Sequence, residues 1–298
     1  MVGIVETICT KVSGQGEKPW DLLRLDRIHP VVSGNKPFKL HFHLKKAMDE
    51  GWKGILTFGG PYSNHIHAAS HAAQTAGLQS IGIVRGEKAA TLSPTLADAE
   101  RHGMRLVFMD RAAYRAAAHS IRDGTEAEGH PGFLVVPEGG FGKMGTEGAA
   151  LIRQWIPSGR YDTLLCACGT GTTMAGLVHS AEKGQRVIGV SVLNNSSDLE
   201  SRLKTLLGRD IPDAQTETIH GYHFGGYARK DDSLLEFMNR FHETHGVPTD
   251  FVYTAKLLYA MEDLIRKGYF KPDERILCIH SGGLQGNRSL PEGTLRFG

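Results

Sequence analysis

The sequence predicts an α/β protein built on mostly parallel sheet. Short apolar runs rich in β-branched residues alternate with helix-like segments along most of the chain. Several of these runs are apolar throughout, the pattern of strands covered on both faces. Glycine clusters recur just past the runs, at the strand ends where parallel sheets receive ligands.

In chain order, strands are expected at 55–58, 81–84, 106–109, 133–136, 163–166, 187–190 and 276–279. Helices are expected at 64–76, 94–102, 144–156, 172–183, 198–207 and 233–245, the alternation that marks this class. Residues 112–132 read as helix and exposed loop, because alanines and charges give way to Gly124, Gly129 and Pro131. With 298 residues the chain can bury a full core and form two lobes.

Composition narrows the function classes. A hydrophobic content of 40% with 22% charged residues fits an ordinary globular protein. The formal net charge is +2, with no basic run and no basic patch interleaved with aromatics, so nucleic acid is not an expected partner. No apolar stretch approaches the ~20 residues needed to cross a bilayer. Residues 1–7 lack the basic and apolar segments of a signal peptide, so a cytoplasmic location without membrane attachment is expected. Cys9, Cys166, Cys168 and Cys278 form no disulfide framework and are expected as reduced thiols.

The chemistry-bearing segments begin with Ser33-Gly34-Asn35-Lys36-Pro37-Phe38-Lys39-Leu40. Pro37 suits the first helical position, where its missing N–H costs nothing. It also biases Lys36 toward extended backbone, at the helix mouth rather than inside the helix. An amine held there is partly desolvated, which lowers its pKa and makes it a competent Schiff-base nucleophile.

Gly169-Thr170-Gly171-Thr172-Thr173 follows a strand and opens a helix. Free N–H groups and the helix dipole make such a turn an anion site, to which the threonine hydroxyls add. A dinucleotide fingerprint needs a small residue where Met174 stands, and the strand ending near Val190-Ser191-Val192 offers no acid for a ribose. No phosphate-loop lysine follows, so a small phosphate without a nucleotide body fits better. Gly59-Gly60-Pro61-Tyr62-Ser63-Asn64-His65 repeats the design, with Ser63 or Asn64 as the cap and a mouth suited to a substrate carboxylate. His67 and His71 stand four apart on the following helix, but no partner carboxylate has metal-site spacing, so no metal is expected.

Together these segments resemble the fold-type II pyridoxal-phosphate enzymes (tryptophan synthase β-like), specifically the D-cysteine desulfhydrase and aminocyclopropane-carboxylate deaminase family. The resemblance runs from about residue 23 to 286. It implies two three-layer αβα lobes with mostly parallel twisted sheets. The small domain would span 39–145, the large one 1–38 with 146–298, and the protein would be a homodimer.

It also implies pyridoxal 5'-phosphate as cofactor, with Lys36 as the Schiff-base lysine and Lys39, Asn64, Thr170, Gly171, Thr172 and Thr173 around the phosphate. Ser63 falls at the catalytic serine position, with Asn64, His65 and Tyr62 in the substrate-carboxylate loop. Gly225-Gly226-Tyr227 and Val252-Tyr253-Thr254-x-Lys256 resemble the two tyrosine segments facing the substrate. His280-Ser281-Gly282-Gly283 resembles the final glycine motif beneath the cofactor ring.

Two positions discriminate within the family. The deaminases carry glutamate after the second tyrosine and leucine before the last glycine pair, where this chain has Thr254 and Ser281. A carboxylate beside the pyridine nitrogen keeps it a strong electron sink, which ring opening demands. A hydroxyl leaves a weaker sink, sufficient when a β-substituent departs with the electrons. The expectation is therefore β-elimination from a small D-amino acid, D-cysteine first, with the cyclopropane deaminase and a catalytically silent cofactor-binding protein as alternatives. A nicotinamide oxidoreductase is disfavoured by the failed fingerprint. Pro37-Phe38 and Pro61-Tyr62 depart from the Thr-Arg and Ile-Gln common at those places, which bears on substrate more than on cofactor.

Overall fold

Two sheets, each with helices on its faces, carry the computed structural model, which describes residues 4–14, 16–194, 197–208 and 216–297. The chain begins with a hairpin, β1 (Val5–Val12) and β2 (Gly16–Arg24), and continues into α1 (Lys36–Asp49). There follow β3 (Gly54–Gly59), α2 (Asn64–Thr75), β4 (Gln79–Arg85), α3 (Pro94–Arg101), β5 (Met104–Met109) and α4 (Arg111–Ser120). Next are β6 (Glu126–Ala127), β7 (His130–Val136), α5 (Lys143–Ala150), β8 (Thr163–Cys168), α6 (Thr172–His179) and β9 (Arg186–Ser191). The last are α7 (Ser197–Leu207), β10 (Thr216–Ile219), α8 (Asp232–His245), α9 (Thr254–Arg266) and β11 (Ile276–His280).

The first sheet has the order β1-β2-β11-β8-β9-β10 and is parallel apart from its β1–β2 edge. The second has the order β5-β4-β3-β7-β6 and is parallel apart from the β6–β7 edge. Period-two side-chain alternation explains why the central strands are apolar throughout. Leu164, Cys166 and Cys168 of β8 pack with α6 and α7 on one face, while Leu165 and Ala167 pack with α8 and α9 on the other. In the second sheet Ile55 joins the cluster with α2 and α3, and its neighbour Leu56 joins the opposite cluster with Tyr114 of α4.

All seven expected strands lie inside observed ones. The helix expected over 144–156 is α-helical only to Ala150 and continues as 3-10 turns to Trp155. The helix expected to reach 183 stops at His179, where the Ser180 hydroxyl donates to the Gly176 carbonyl at 2.9 Å. Lys36 is the first residue of α1, with Asn35 as its cap, rather than outside the helix. The β1–β2 hairpin, β6, β10 and α9 were not foreseen: β1 is a half-polar edge strand, and α9 buries Lys256 and Glu262 among its apolar residues, which blurs its apolar face.

Cys166, Cys168 and Cys278 are buried free thiols, and Cys9 is exposed. Among the described residues no helix is long and apolar enough to cross a membrane.

Candidate active site

Turns at the carboxyl ends of both sheets enclose one cavity of ≈ 380 Å³. The first wall is set by Gly34. Its φ is +74°, and a Cβ there would stand 1.9 Å from the Ser281 carbonyl oxygen. Only glycine permits that approach, which seats the Lys36 turn directly on the Ser281-Gly282 turn. The Asn35 N–H then donates to the same carbonyl at 3.2 Å.

Asn35, which the sequence reading left without a role, ties two elements together. Its Nδ2 donates to Thr173 Oγ1 at 2.8 Å, and its Oδ1 accepts from Lys36 Nζ at 2.7 Å. Lys36 Nζ also lies 5.9 Å from the centre of the Tyr253 ring. Burial lowers the Lys36 pKa to about 8, opposed by the Asp250 carboxylate. Lys39, fully enclosed beneath it, falls to about 7 through burial and then through repulsion by Lys36.

Ser63 caps α2, its Oγ accepting the Ile66 N–H at 3.2 Å. Gly59 makes room for it, since a Cβ on residue 59 would meet that Oγ at 2.5 Å. Asn64 Oδ1 is buried without a hydrogen-bond partner. His65 Nε2 lies 2.8 Å from Thr57 Oγ1, whose single proton goes to the Val136 carbonyl at 2.7 Å. His65 Nε2 must therefore be the donor, which leaves Nδ1 as an unpartnered acceptor. Burial, with Lys36 and Lys39 nearby, holds this imidazole neutral and its pKa well below the usual value.

Opposite, α6 opens on Gly171 with no side-chain cap. Thr170 Oγ1 and Thr172 Oγ1 bond each other at 2.9 Å. The rings of Tyr227 and Tyr253 meet edge to face at 6.1 Å. Tyr227 rides a turn in which Phe224 and Ala228 both have positive φ. That turn is gripped by Lys256, which is fully buried and donates from Nζ to the carbonyls of His223 at 2.8 Å and Gly226 at 2.7 Å.

Asp250, also missed, organises the start of α9. It accepts the N–H groups of Val252, Tyr253 and Thr254 at 2.8 to 2.9 Å and the Thr254 hydroxyl at 2.7 Å. An acid just ahead of a helix start was the signal that could have revealed it.

Of the residues singled out from the sequence, three do not reach the cavity. Thr172 is buried behind Thr170, and Thr254 spends its hydroxyl on Asp250. Tyr62 is 45% exposed on the turn before α2 and does not line the cavity. Arg85, Glu138 and Arg202 line the cavity without having been foreseen. His67 and His71 pack outside it, in ring contact with His102. Among the described residues no group of three or more side chains is arranged to hold a metal ion.

A half-buried lysine beside a helix mouth with uncapped N–H groups suits an aldehyde that also carries a phosphate. The buried Asn64 oxygen leaves an unfilled acceptor on the same cavity wall. The model of the pyridoxal-phosphate-dependent enzymes matches residues 13–282. The chain belongs to that family. Its cofactor is pyridoxal 5'-phosphate, and its two-lobed sheet architecture is fold-type II.

A Pyrococcus abyssi protein bearing an aminocyclopropane-carboxylate deaminase name is 29% identical over 86% of this chain and 81% of its own. A Salmonella choleraesuis D-cysteine desulfhydrase is 26% identical over 88% of this chain and 86% of its own. The crystal structure of an aminocyclopropane-carboxylate deaminase homologue superposes with a TM-score of 0.75 at 26% identity, covering 96% of this chain and 91% of that one. This pyridoxal-phosphate enzyme therefore falls among the deaminases and desulfhydrases, whose names divide between the two reactions.

Proposed function

We propose that this enzyme removes a β-substituent from a small D-amino acid, with D-cysteine converted to pyruvate, sulfide and ammonia. The observation that carries the choice is the wall at the two discriminating positions: Ser281 lines the cavity, and Thr254 is turned away onto Asp250. Neither places a carboxylate against the ring.

In this reading Lys36 anchors the cofactor. The α6 mouth, with Thr170, Gly171 and Thr173, holds its phosphate, assisted by Lys39, while Thr172 orients Thr170. The substrate carboxylate docks on the α2 mouth at Ser63 and Asn64, with His65 accepting a hydrogen bond beside it. Bound there, the cofactor supplies the electron sink for the carbanion formed at Cα.

The chain's own groups move the protons. Lys36 Nζ, with its pKa near 8, takes the Cα proton when neutral. The Cβ–S bond breaks with its electron pair passing to sulfur. Tyr253, whose phenol stays protonated because of burial and the neighbouring Tyr227, offers its O–H as a hydrogen-bond donor to the departing sulfur. The released enamine takes up one water to give pyruvate and ammonia. We further propose that 39–145 acts as a small domain over the large one, and that the enzyme works as a cytoplasmic homodimer.

The test has two parts. Cofactor-loaded protein should show a visible absorption band that Lys36→Ala abolishes. Incubation with D-cysteine, L-cysteine, D-serine and aminocyclopropane-carboxylate should then yield sulfide and keto acid with D-cysteine first. The deaminase names among the relatives favour the second reading, and ketobutyrate from the cyclopropane alone would establish it instead.

A further inference from the structure

The outer end of the cavity carries charge that neither the cofactor nor a neutral amino acid uses. Arg85 closes β4 and lines both the main cavity and an adjoining one of ≈ 500 Å³. Its guanidinium lies 5.7 Å above the Tyr114 ring and has no ion pair among the described residues. Its Nη2 stands 3.4 Å from where a Cβ on Gly60 would be, so it overhangs the loop that leads to Ser63.

Arg202 of α7 reaches both cavities from the opposite sheet and uses one nitrogen on Asp198 at 2.8 Å. Arg111 and Arg115 complete the adjoining wall. Glu138 is the single carboxylate lining either space among the described residues. Four arginines against one acid is not a consequence of composition, since the chain as a whole carries a net charge of only +2. A guanidinium presents a planar fork that matches carboxylate, sulfonate and phosphate oxygens. The two helix mouths already account for the cofactor phosphate and the substrate α-carboxylate. Arg85 is then left without a counter-ion among the described residues, and Arg202 gives only one nitrogen to Asp198.

We propose that the substrate carries a second acidic group on its side chain, seated between Arg85 and Arg202. This rests on the β-elimination reading and names its substrate class, an amino acid whose β-substituent is itself an anion. Elimination then sends the Cβ–X electron pair to an acidic leaving group. The Cα proton goes to Lys36, and one water converts the enamine to keto acid and ammonia.

The test uses cofactor-loaded enzyme and the change in its visible band on binding inert amino acids. Both enantiomers of aspartate should bind or perturb the band at least tenfold more strongly than the matching alanine. Both enantiomers of O-phosphoserine should be compared with serine for pyruvate and inorganic phosphate release, and one phosphoserine should be turned over in preference. In Arg85→Gln and in Arg202→Gln the acidic-to-neutral preference should collapse by about the same tenfold.

Equal affinity for aspartate and alanine in the wild type would overturn the proposal. So would a parallel loss for both ligands in Arg85→Gln, which would assign that residue to the α-carboxylate. Either result, with D-cysteine still consumed, leaves the β-elimination reading standing. Absence of any cofactor band sinks both.

Discussion

The two helix mouths that face the cavity are built alike and finished differently. Each follows a parallel strand, α2 after β3 of the second sheet and α6 after β8 of the first. At α2 the Ser63 side chain already satisfies one opening N–H. At α6 the residue before the helix is a left-handed glycine with no side chain to give, and the threonine hydroxyls bond each other and Asn35 instead. An uncapped mouth holds an anion strongly and permanently, whereas a capped one offers fewer donors and suits a group that must come and go. In the proposed reading this difference gives the phosphate to α6 and the substrate carboxylate to α2.

Lys36, which lies between the mouths, gives the largest expected effect. Lys36→Ala should lower turnover by at least the roughly 10²–10⁴-fold attributed to a positioned acid–base group, and should remove the visible band. A retained band would move the anchor to Lys39.

The mouths themselves should separate next. Thr173→Ala, which removes the acceptor of the Asn35 amide, should weaken cofactor affinity by about tenfold, as loss of ~1.4 kcal/mol implies. Ser63→Ala should leave cofactor affinity near that of the wild type and lower kcat. Titration of the protein with pyridoxal phosphate, beside steady-state kinetics, distinguishes the two. Equal effects on both quantities would erase the distinction.

The charge of the pocket floor predicts a pH dependence. Lys36 near 8 and Lys39 near 7 lie below their ordinary 10.5, so the folded chain without cofactor binds fewer protons than the unfolded chain between these values. Stability must therefore rise with pH from about 7 to 10 in denaturant melts. Inorganic phosphate at the α6 mouth should flatten that slope by favouring charged Lys39. A slope that phosphate leaves untouched would detach Lys39 from the anion site.

The smallest effect belongs to the far wall. Lys256→Met removes both bonds that hold the Tyr227 turn. It should reduce kcat/KM several-fold while cofactor affinity holds, with Lys256→Arg recovering part of the loss. Hydrogen exchange at 223–228 should speed up in the Met variant, and unchanged exchange there would show that the turn holds itself.

The site was legible in the sequence wherever chemistry follows a strand directly. Ser63, Asn64, Thr170 and Thr173 all stand within a few residues of a glycine-rich strand end, and they line the cavity with Lys36. Thr254 and Tyr62 show the limit of that logic, because adjacency to a motif does not determine where a side chain points. Thr254 turns back onto Asp250, and Tyr62 turns out to solvent. Lys256 and Asn35 act through partners 30 and 138 residues away, a coupling that no local pattern records, whereas Asp250 acts on the helix start just after it.

By itself the sequence determined the α/β alternation, seven of the strands and the glycine-bounded turns that open α2 and α6, because period-two burial and glycine-bounded turns are local properties. Only the tertiary structure decided which side chains share the cavity, how far burial lowers the pKa of Lys36 and Lys39, and that Arg85 and Arg202 from opposite sheets line the same cavity. Those depend on the distance between elements remote in sequence, and desolvation and Coulomb energies follow that distance alone.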